Sequence, residues 1–335
     1  MQFHLAEITA GLIAAGAALA VSAAAHAGCN EPSLSTESEM VWVEGGSFRF
    51  GSDRHYPEER PAHEIAVEGF WLGKYEVTNR QFKLFVDKTN YKTVAERHLS
   101  EEDFPDIPKS QREPGAVVFK QPKLSDGNIG GWWHFVAGAN WQHPTGPDSN
   151  LENKLDHPVV HIAWEDAKAY ADWLGHQLPT ETQWEYAAKL SLAASKTPSS
   201  SEQPEEANTW QGLFPMHNLS EDGYSGTAPV GCYQANPAGA HDMIGNVWEW
   251  TASHYYPAHD TAQTKPLRDN YPNGFDPGQR GVSVKVLKGG SFLCAPNYCR
   301  RYRPAARHAQ DTTLGTSHIG FRTVINSPAA PEKKP

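Results

Sequence analysis

A chain of 335 residues and 37.0 kDa is long enough to bury a large core as one big domain or two ordinary ones. Its formal net charge of -10 and pI of about 5.9 leave no basic footprint for nucleic acid, and this excludes that class of partner. The 11 Trp, 28 Gly and 25 Pro, with a mean hydropathy of -0.59, predict a soluble, loop-rich globule whose core leans on aromatic rings.

Residues 11–27 are small and apolar and end in Ala25-His26-Ala27, which resembles a signal-peptide cleavage site, although no Lys or Arg precedes them. The expectation is an exported protein, periplasmic or secreted, with residues 1–27 as signal peptide and 28–39 as a Ser-, Glu- and Pro-containing tether. Cys29 directly behind the cut makes a lipid anchor the minor alternative. No other segment has 18 consecutive apolar residues, so no membrane span is expected.

Met40–Val43 and 45–50 read as a hairpin turning at Gly45-Gly46. Thr78 caps a helix over 79–88, with Phe82 and Phe85 on one face. A second helix over 165–174 carries Ala167, Tyr170, Ala171 and Leu174 as a stripe and stops at Gly175. Pro179-Thr180-Glu181-Thr182-Gln183 is a capping box that opens a third helix through about Lys189.

Beyond Leu190 helical periodicity ends. Segments 192–206 and 258–280 read as surface insertions, Val282–Lys288 as a strand and His318–Val324 as a closing strand. So few periodic segments in one domain, 40–325, with a polar tail at 326–335, imply irregular backbone held by something besides ladders, with bound cations as one means.

Four cysteines occur, and two of them stand five positions apart in Gly289-Gly-Ser-Phe-Leu-Cys294-Ala-Pro-Asn-Tyr-Cys299, followed by Arg300, Arg301, Arg303 and Arg307. Nearby cations favour thiolates. Spacing alone leaves three readings: a structural disulfide, as exported proteins favour; zinc, for which no second Cys-x2-Cys pair exists; and a soft low-coordinate ion such as Cu(I). Arg300, Arg301 and Arg303 read as solvated or structural. Cys232 is unpaired unless it meets Cys29, and Asn218-Leu219-Ser220 is a glycosylation sequon only in a eukaryotic source.

Further blocks carry a resemblance: Met40-Val-Trp-Val-Glu-Gly-Gly-Ser-Phe-Arg-Phe-Gly51, Tyr75-Glu-Val-Thr-Asn79, Trp132-Trp133, Gly138-Ala-Asn-Trp-Gln-His-Pro-Thr-Gly-Pro-Asp148, Leu178-Pro-Thr-Glu181 and Gly245-Asn-Val-Trp-Glu-Trp250. Over roughly 40–325 the chain resembles the formylglycine-generating enzymes (sulfatase-modifying factor 1). The resemblance implies a single irregular α+β fold of C-type-lectin-like kind, low in regular secondary structure and stabilised by calcium. Shared blocks identify the fold, whereas Ser291, Cys294, Tyr298, Cys299 and Arg307 identify the activity.

By that resemblance Cys294 and Cys299 hold one Cu(I), with room for a substrate thiolate. A cysteine in a Cys-x-Pro-x-Arg motif of an unfolded sulfatase is then oxidised to Cα-formylglycine with O2 and a thiol reductant, by a monomer. Ser291 and Tyr298 position reacting atoms, Trp248 shapes the pocket and Arg307 helps to bind the peptide. Two calcium sites are implied, one from Asn208, Thr209, Asp222 and Tyr224, the other from Asp242, Gly245, Val247 and Glu249. The rival readings are a calcium-stabilised binding module without turnover and a maturase of another target protein.

Overall fold

In the computed structural model, placement is described for residues 40–326 apart from 103–104, 106–107, 110–111, 124–130, 191–203, 205 and 263. The expected signal peptide, tether, Cys29, nearly all of the first insertion and all but Asn326 of the tail lie outside these residues.

The strands are β1 (Met40–Val43), β2 (Gly46–Phe50), β3 (His63–Val67), β4 (Phe70–Gly73), β5 (Gly115–Phe119), β6 (Trp133–Ala137), β7 (Trp248–His254), β8 (Val284–Lys288), β9 (His308–Asp311), β10 (Ile319–Gly320) and β11 (Val324–Ile325). They form four small sheets: β1-β4-β11, β10-β7-β8-β9, β2-β3 and β5-β6. Among the described residues the helices are α1 (Asn79–Thr89), α2 (Trp164–Leu174), α3 (Glu181–Lys189) and the short α4 (Lys265–Asn270), which lies in the second expected insertion.

Local chemistry explains the helices. Thr78 accepts the Gln81 N–H while Gln81 reaches back to Thr78, and Thr180 with Gln183 repeats that box. α2 starts differently: the Asp166 carboxylate accepts the Ala163 N–H at 2.9 Å, and Gly175 in the left-handed region ends the helix. Asp166 also accepts from Tyr91 Oη and the Val94 N–H, and burial lifts its pKa to about 7.

Two strand expectations are corrected. β1 and β2 do not form a hairpin: β1 pairs antiparallel with β4, and β2 pairs with β3. The chain changes sheets at Glu44-Gly45 because Gly45 packs on the 67–69 turn, where a Cβ would lie 2.7 Å from the Gly69 nitrogen. The closing segment 318–324 likewise divides, its start pairing in parallel with β7 and its end antiparallel with β4.

The central core gathers Phe82, Trp141, Tyr170, Trp250, Ile319 and Phe321, all 2% exposed or less, together with Trp248 and Cys294. Its rings meet edge-on, as Phe82 does Trp141 at 5.3 Å and 72°. Loops are tied by buried side chains: Arg322 donates to the Gly73 and His241 carbonyls and to both oxygens of Glu249.

The link from α3 to β8 is ionic. Lys288, fully buried, stands 2.9 Å from Glu185 and 3.6 Å from Glu181, and Arg307 lies 2.8 Å from Glu181. Removing one partner of a buried pair strands the other charge. Lys288→Met should therefore lower unfolding free energy by about 3–5 kcal/mol, read by urea denaturation, whereas replacing an exposed partner such as Lys265 should change it by less than about 1 kcal/mol.

Candidate active site

β8 ends at Lys288, and Gly289 and Gly290 turn the chain away with φ values of 97° and 78°. At Gly290 a Cβ would press on Cys294 Sγ at 3.3 Å, so glycine here serves both the turn and the close approach. Two tight turns follow: the Cys294 N–H donates to the Ser291 carbonyl, and the Cys299 N–H to that of Ala295. These turns bring residues five apart together, with Cys294 Sγ 2.7 Å from Cys299 Sγ.

The two sulfurs occupy different surroundings. Cys294 is 1% exposed, whereas Cys299 is partly open to solvent, and both are free thiols. The hydrogen bond from Cys294 holds the Cys299 pKa below its ordinary value despite desolvation, and the Arg301 main-chain N–H and guanidinium act in the same direction. Burial pushes Cys294 well above its ordinary value, and the neighbouring Cys299 charge adds to this. Cys299 is thus the more acidic sulfur of the two.

The predicted residues fall around this pair with unequal roles. Trp248 opens β7, is 3% exposed and belongs to the same core cluster as Cys294, with its ring 5.7 Å from His308. Tyr298 is 49% exposed and stacks on Phe214 at 4.3 Å, with Trp132 edge-on at 5.7 Å. Ser291 is fully buried, and its hydroxyl accepts the Leu293 N–H, while its main-chain N–H reaches the Cys294 sulfur.

Arg307 is corrected. It is 2% exposed and donates to Glu181 and to the carbonyls of Glu58 and Tyr256, so its guanidinium is committed inside the protein and does not face a peptide. Arg301 is the cation that sequence reasoning left in the background. It meets Cys299, pairs with Glu58 at 2.7 Å and lies over the Tyr56 ring at 4.2 Å. Arg303 pairs with the buried Glu59. The signal for both was an acidic pair, Glu58-Glu59, more than 240 positions earlier, which only the fold brings into register.

His308, exposed, lies by Trp248, and His318, half-buried, is lowered to about 3 by desolvation first and then by the neighbouring His308 and His161 rings. His318 faces Trp133 at 4.8 Å.

The first expected cation set lies directly beneath the cysteine loop. Asn208 and Thr209 are 1% exposed and Asp222 is 6% exposed, while the Tyr224 N–H closes an Asx turn on Asp222 at 3.0 Å. Asn208 Nδ2 donates to the Gly226 carbonyl and to Asn246, but its buried Oδ1 receives no hydrogen bond. A donorless buried oxygen fits a hard cation.

In the second set Asp242 accepts the Gly231 N–H, and Gly245, at φ 84°, packs where a Cβ would lie 2.4 Å from the Asn208 carbonyl. The Val247 N–H approaches Glu76 at 3.4 Å. Glu249 is placed otherwise than expected, for its oxygens already accept from Arg322 and Trp184. Glu76, Asp242 and Glu249 nevertheless gather three buried carboxyls about one guanidinium, and burial together with this crowding lifts Glu76 well above its ordinary value.

Among the described residues no three His, Cys, Asp or Glu side chains converge as a metal cage, so the four-ligand zinc reading of the cysteine pair finds no partners. The two free sulfurs of Cys294 and Cys299 are soft donors of the kind Cu(I) prefers. Cys232, by contrast, is disulfide-bonded.

Fold and site together define a protein with a half-buried dithiol hung from a small mixed sheet in an irregular α+β scaffold. The chain belongs to the family of the sulfatase-modifying factor enzyme 1-like domain, whose profile matches residues 27–327. It is 46% identical over 300 residues to the formylglycine-generating enzyme of Mycobacterium tuberculosis, covering 86% of this chain and 98% of that one. It is also 39% identical to the bovine protein named inactive C-alpha-formylglycine-generating enzyme 2, covering 84% and 86%. Among solved structures, PvdO from Pseudomonas aeruginosa shares the fold at a TM-score of 0.55 and 21% identity, over 85% of this chain and 93% of that one.

The unequal thiols predict an order of modification. Limiting iodoacetamide at neutral pH should label Cys299 first, with a rate that rises as pH climbs toward the ordinary thiol range, while Cys294 resists until the protein unfolds. Peptide mapping by mass spectrometry reads the order, and equal labelling of the two would contradict the assigned acidities.

Proposed function

We propose that this chain converts a cysteine of unfolded sulfatase polypeptides, in a Cys-x-Pro-x-Arg setting, into Cα-formylglycine. The observation that carries the reading is the free Cys294–Cys299 pair at the base of an aromatic cleft. Family membership alone does not decide turnover, because the family includes a protein named inactive. The relative from Mycobacterium tuberculosis supports the activity by its name and near-complete coverage.

Cys294 and Cys299 would hold one Cu(I), which when bound supplies the means of activating O2. Overall the substrate –CH2–SH gives up its sulfur as hydrogen sulfide and becomes –CHO. One O2 takes four electrons, two from the substrate carbon and sulfur and two from a thiol reductant that ends as its disulfide, leaving its atoms in the aldehyde and in water. Cys299, the partly open ligand, faces the side from which a substrate thiol enters. Tyr298 presents its hydroxyl at that mouth, and Trp248 walls the interior against water.

Ser291 acts through the loop, its main-chain N–H on Cys294 and its hydroxyl on the turn. Calcium at the first set would fix the strand-free segment from which the Trp210 N–H supports the Cys294 carbonyl. A second ion beside Asp242 would offset the carboxyl surplus there. Export would bring the enzyme, as a monomer, to where sulfatases arrive unfolded by the secretory route. Among the described residues no helix is long and apolar enough to cross a membrane.

Incubation of the purified chain with Cu(I), O2, a thiol and a Cys-x-Pro-x-Arg peptide should yield the aldehyde mass. Cys294→Ser and Cys299→Ser should each lower kcat/KM by more than about 100-fold, beyond what outer-shell losses cost. A copper-loaded wild type that leaves the peptide unchanged overturns the reading.

A further inference from the structure

Among the described residues the β5-β6 pair has one closed edge and one open edge. Ladder bonds at its two ends, Lys120 N–H to the Trp132 carbonyl and Gly138 N–H to that of Pro114, show which residues face the partner strand. Even-numbered residues of β6 point their main-chain groups at β5, so Trp133, Phe135 and Ala137 point theirs away. On the β5 side the outward groups are taken: the Val117 carbonyl accepts the Ser317 N–H at 3.1 Å, and the Phe119 N–H donates to Ser317 Oγ at 3.0 Å. On the β6 side no described residue pairs with Trp133, Phe135 or Ala137.

Proteins protect open edges with Lys, Pro or bulges, since an unpaired row of N–H and C=O groups recruits other strands. β6 reads Trp-His-Phe-Val-Ala with an unbroken register, and Trp133, His134 and Ala137 are exposed. It has none of those devices. The edge also adjoins the cleft, for Trp133 meets His318 at 4.8 Å and Trp132 meets Tyr298, the neighbour of Cys299, at 5.7 Å.

We propose that β6 receives the substrate by strand addition: an extended, cysteine-bearing segment of unfolded polypeptide pairs with the outward groups of Trp133, Phe135 and Ala137 and delivers its thiol past Trp132 and Tyr298. The inference rests on the reading above for the identity of the occupant. A cysteine must leave any folded context to reach a recessed sulfur, and a chain in that state carries unpaired main-chain groups in the geometry an edge requires. Strand addition draws affinity from the main chain, so it tolerates variation in the residues that flank the cysteine.

The test leaves the enzyme intact: a cysteine peptide of about twelve residues is N-methylated at one amide at a time, and both binding, by fluorescence anisotropy, and aldehyde formation are followed. Each methyl on an amide that faces β6 should weaken binding and raise KM by about fivefold, the worth of one main-chain hydrogen bond, and each intervening methyl should do nothing. Phe135→Pro, which removes an outward N–H and spares the ladder, should raise KM for the long peptide without changing kcat, while a peptide trimmed to the motif should be indifferent.

A scan without alternation overturns the proposal even where aldehyde forms. Alternation in binding without any aldehyde supports the edge and condemns the proposed chemistry instead. A concentration-dependent dimer in light scattering, abolished by Phe135→Pro, would assign the edge to a second copy of this chain and overturn the proposal as well. If that variant does not fold, the peptide scan decides.

Discussion

The site depends on how a strand-free loop is held still. The cysteine loop is fixed by main-chain bonds to two other irregular segments: Phe292 N–H to the Asn246 carbonyl, Gly245 N–H to that of Gly289, and Trp210 N–H to that of Cys294. Asn246 in turn donates from its own N–H to the Asn208 carbonyl, and its side chain spans Glu76 and the Ala228 N–H. Three chain segments that share no sheet are thereby tied into one support. Since buried main-chain groups must find partners, a shift in any of the three strands donors in the others. The expected cation sets fall on this support, Asn208 at one side and Asp242 to Val247 at the other, so ions there would act on the thiols through the backbone.

Within that frame the two sulfurs are made unequal. Cys294 is sealed in the core beside Trp248, while Cys299 faces the cleft with Arg301 beside it. Arg301 is itself restrained by Glu58 and Tyr56, so its charge stays near Cys299 and is partly offset. Cys294 is thus the enclosed sulfur of the pair and Cys299 the one open to approach from outside.

Legibility of the sequence followed the range of the interactions. The three main helices were readable because their signals are local: Thr78 with Gln81, Thr180 with Gln183, and a Gly after Leu174. The strands at 40–43, 46–50 and 284–288 were readable as well, but their pairing was not, since β4 is defined by partners at 40–43 and 324–325, and the Gly45-Gly46 pair that looks like a hairpin turn is a point where the chain leaves one sheet for another. The cysteine pair and its glycine turn were plain from spacing within a single short segment. Arg307 was assigned to the peptide and Glu249 to a calcium ion from motif position, but each is engaged by a partner more than 70 residues away, Glu181 and Arg322 respectively. No local pattern encodes such a partner.

The histidines of the cleft show what kind of medium the site offers. His308 and His318 could have supplied positive charge beside a thiolate, as histidine does in many cysteine enzymes. Here desolvation lowers the half-buried His318 to about 3 and the buried His161 to about 4, while His308 stays exposed. A protonated imidazole would stabilise a bare thiolate and make it a weaker donor to a metal. The hydrogen bond from Cys294 and the restrained Arg301 guanidinium, rather than an imidazolium, are what hold Cys299 the more acidic of the pair.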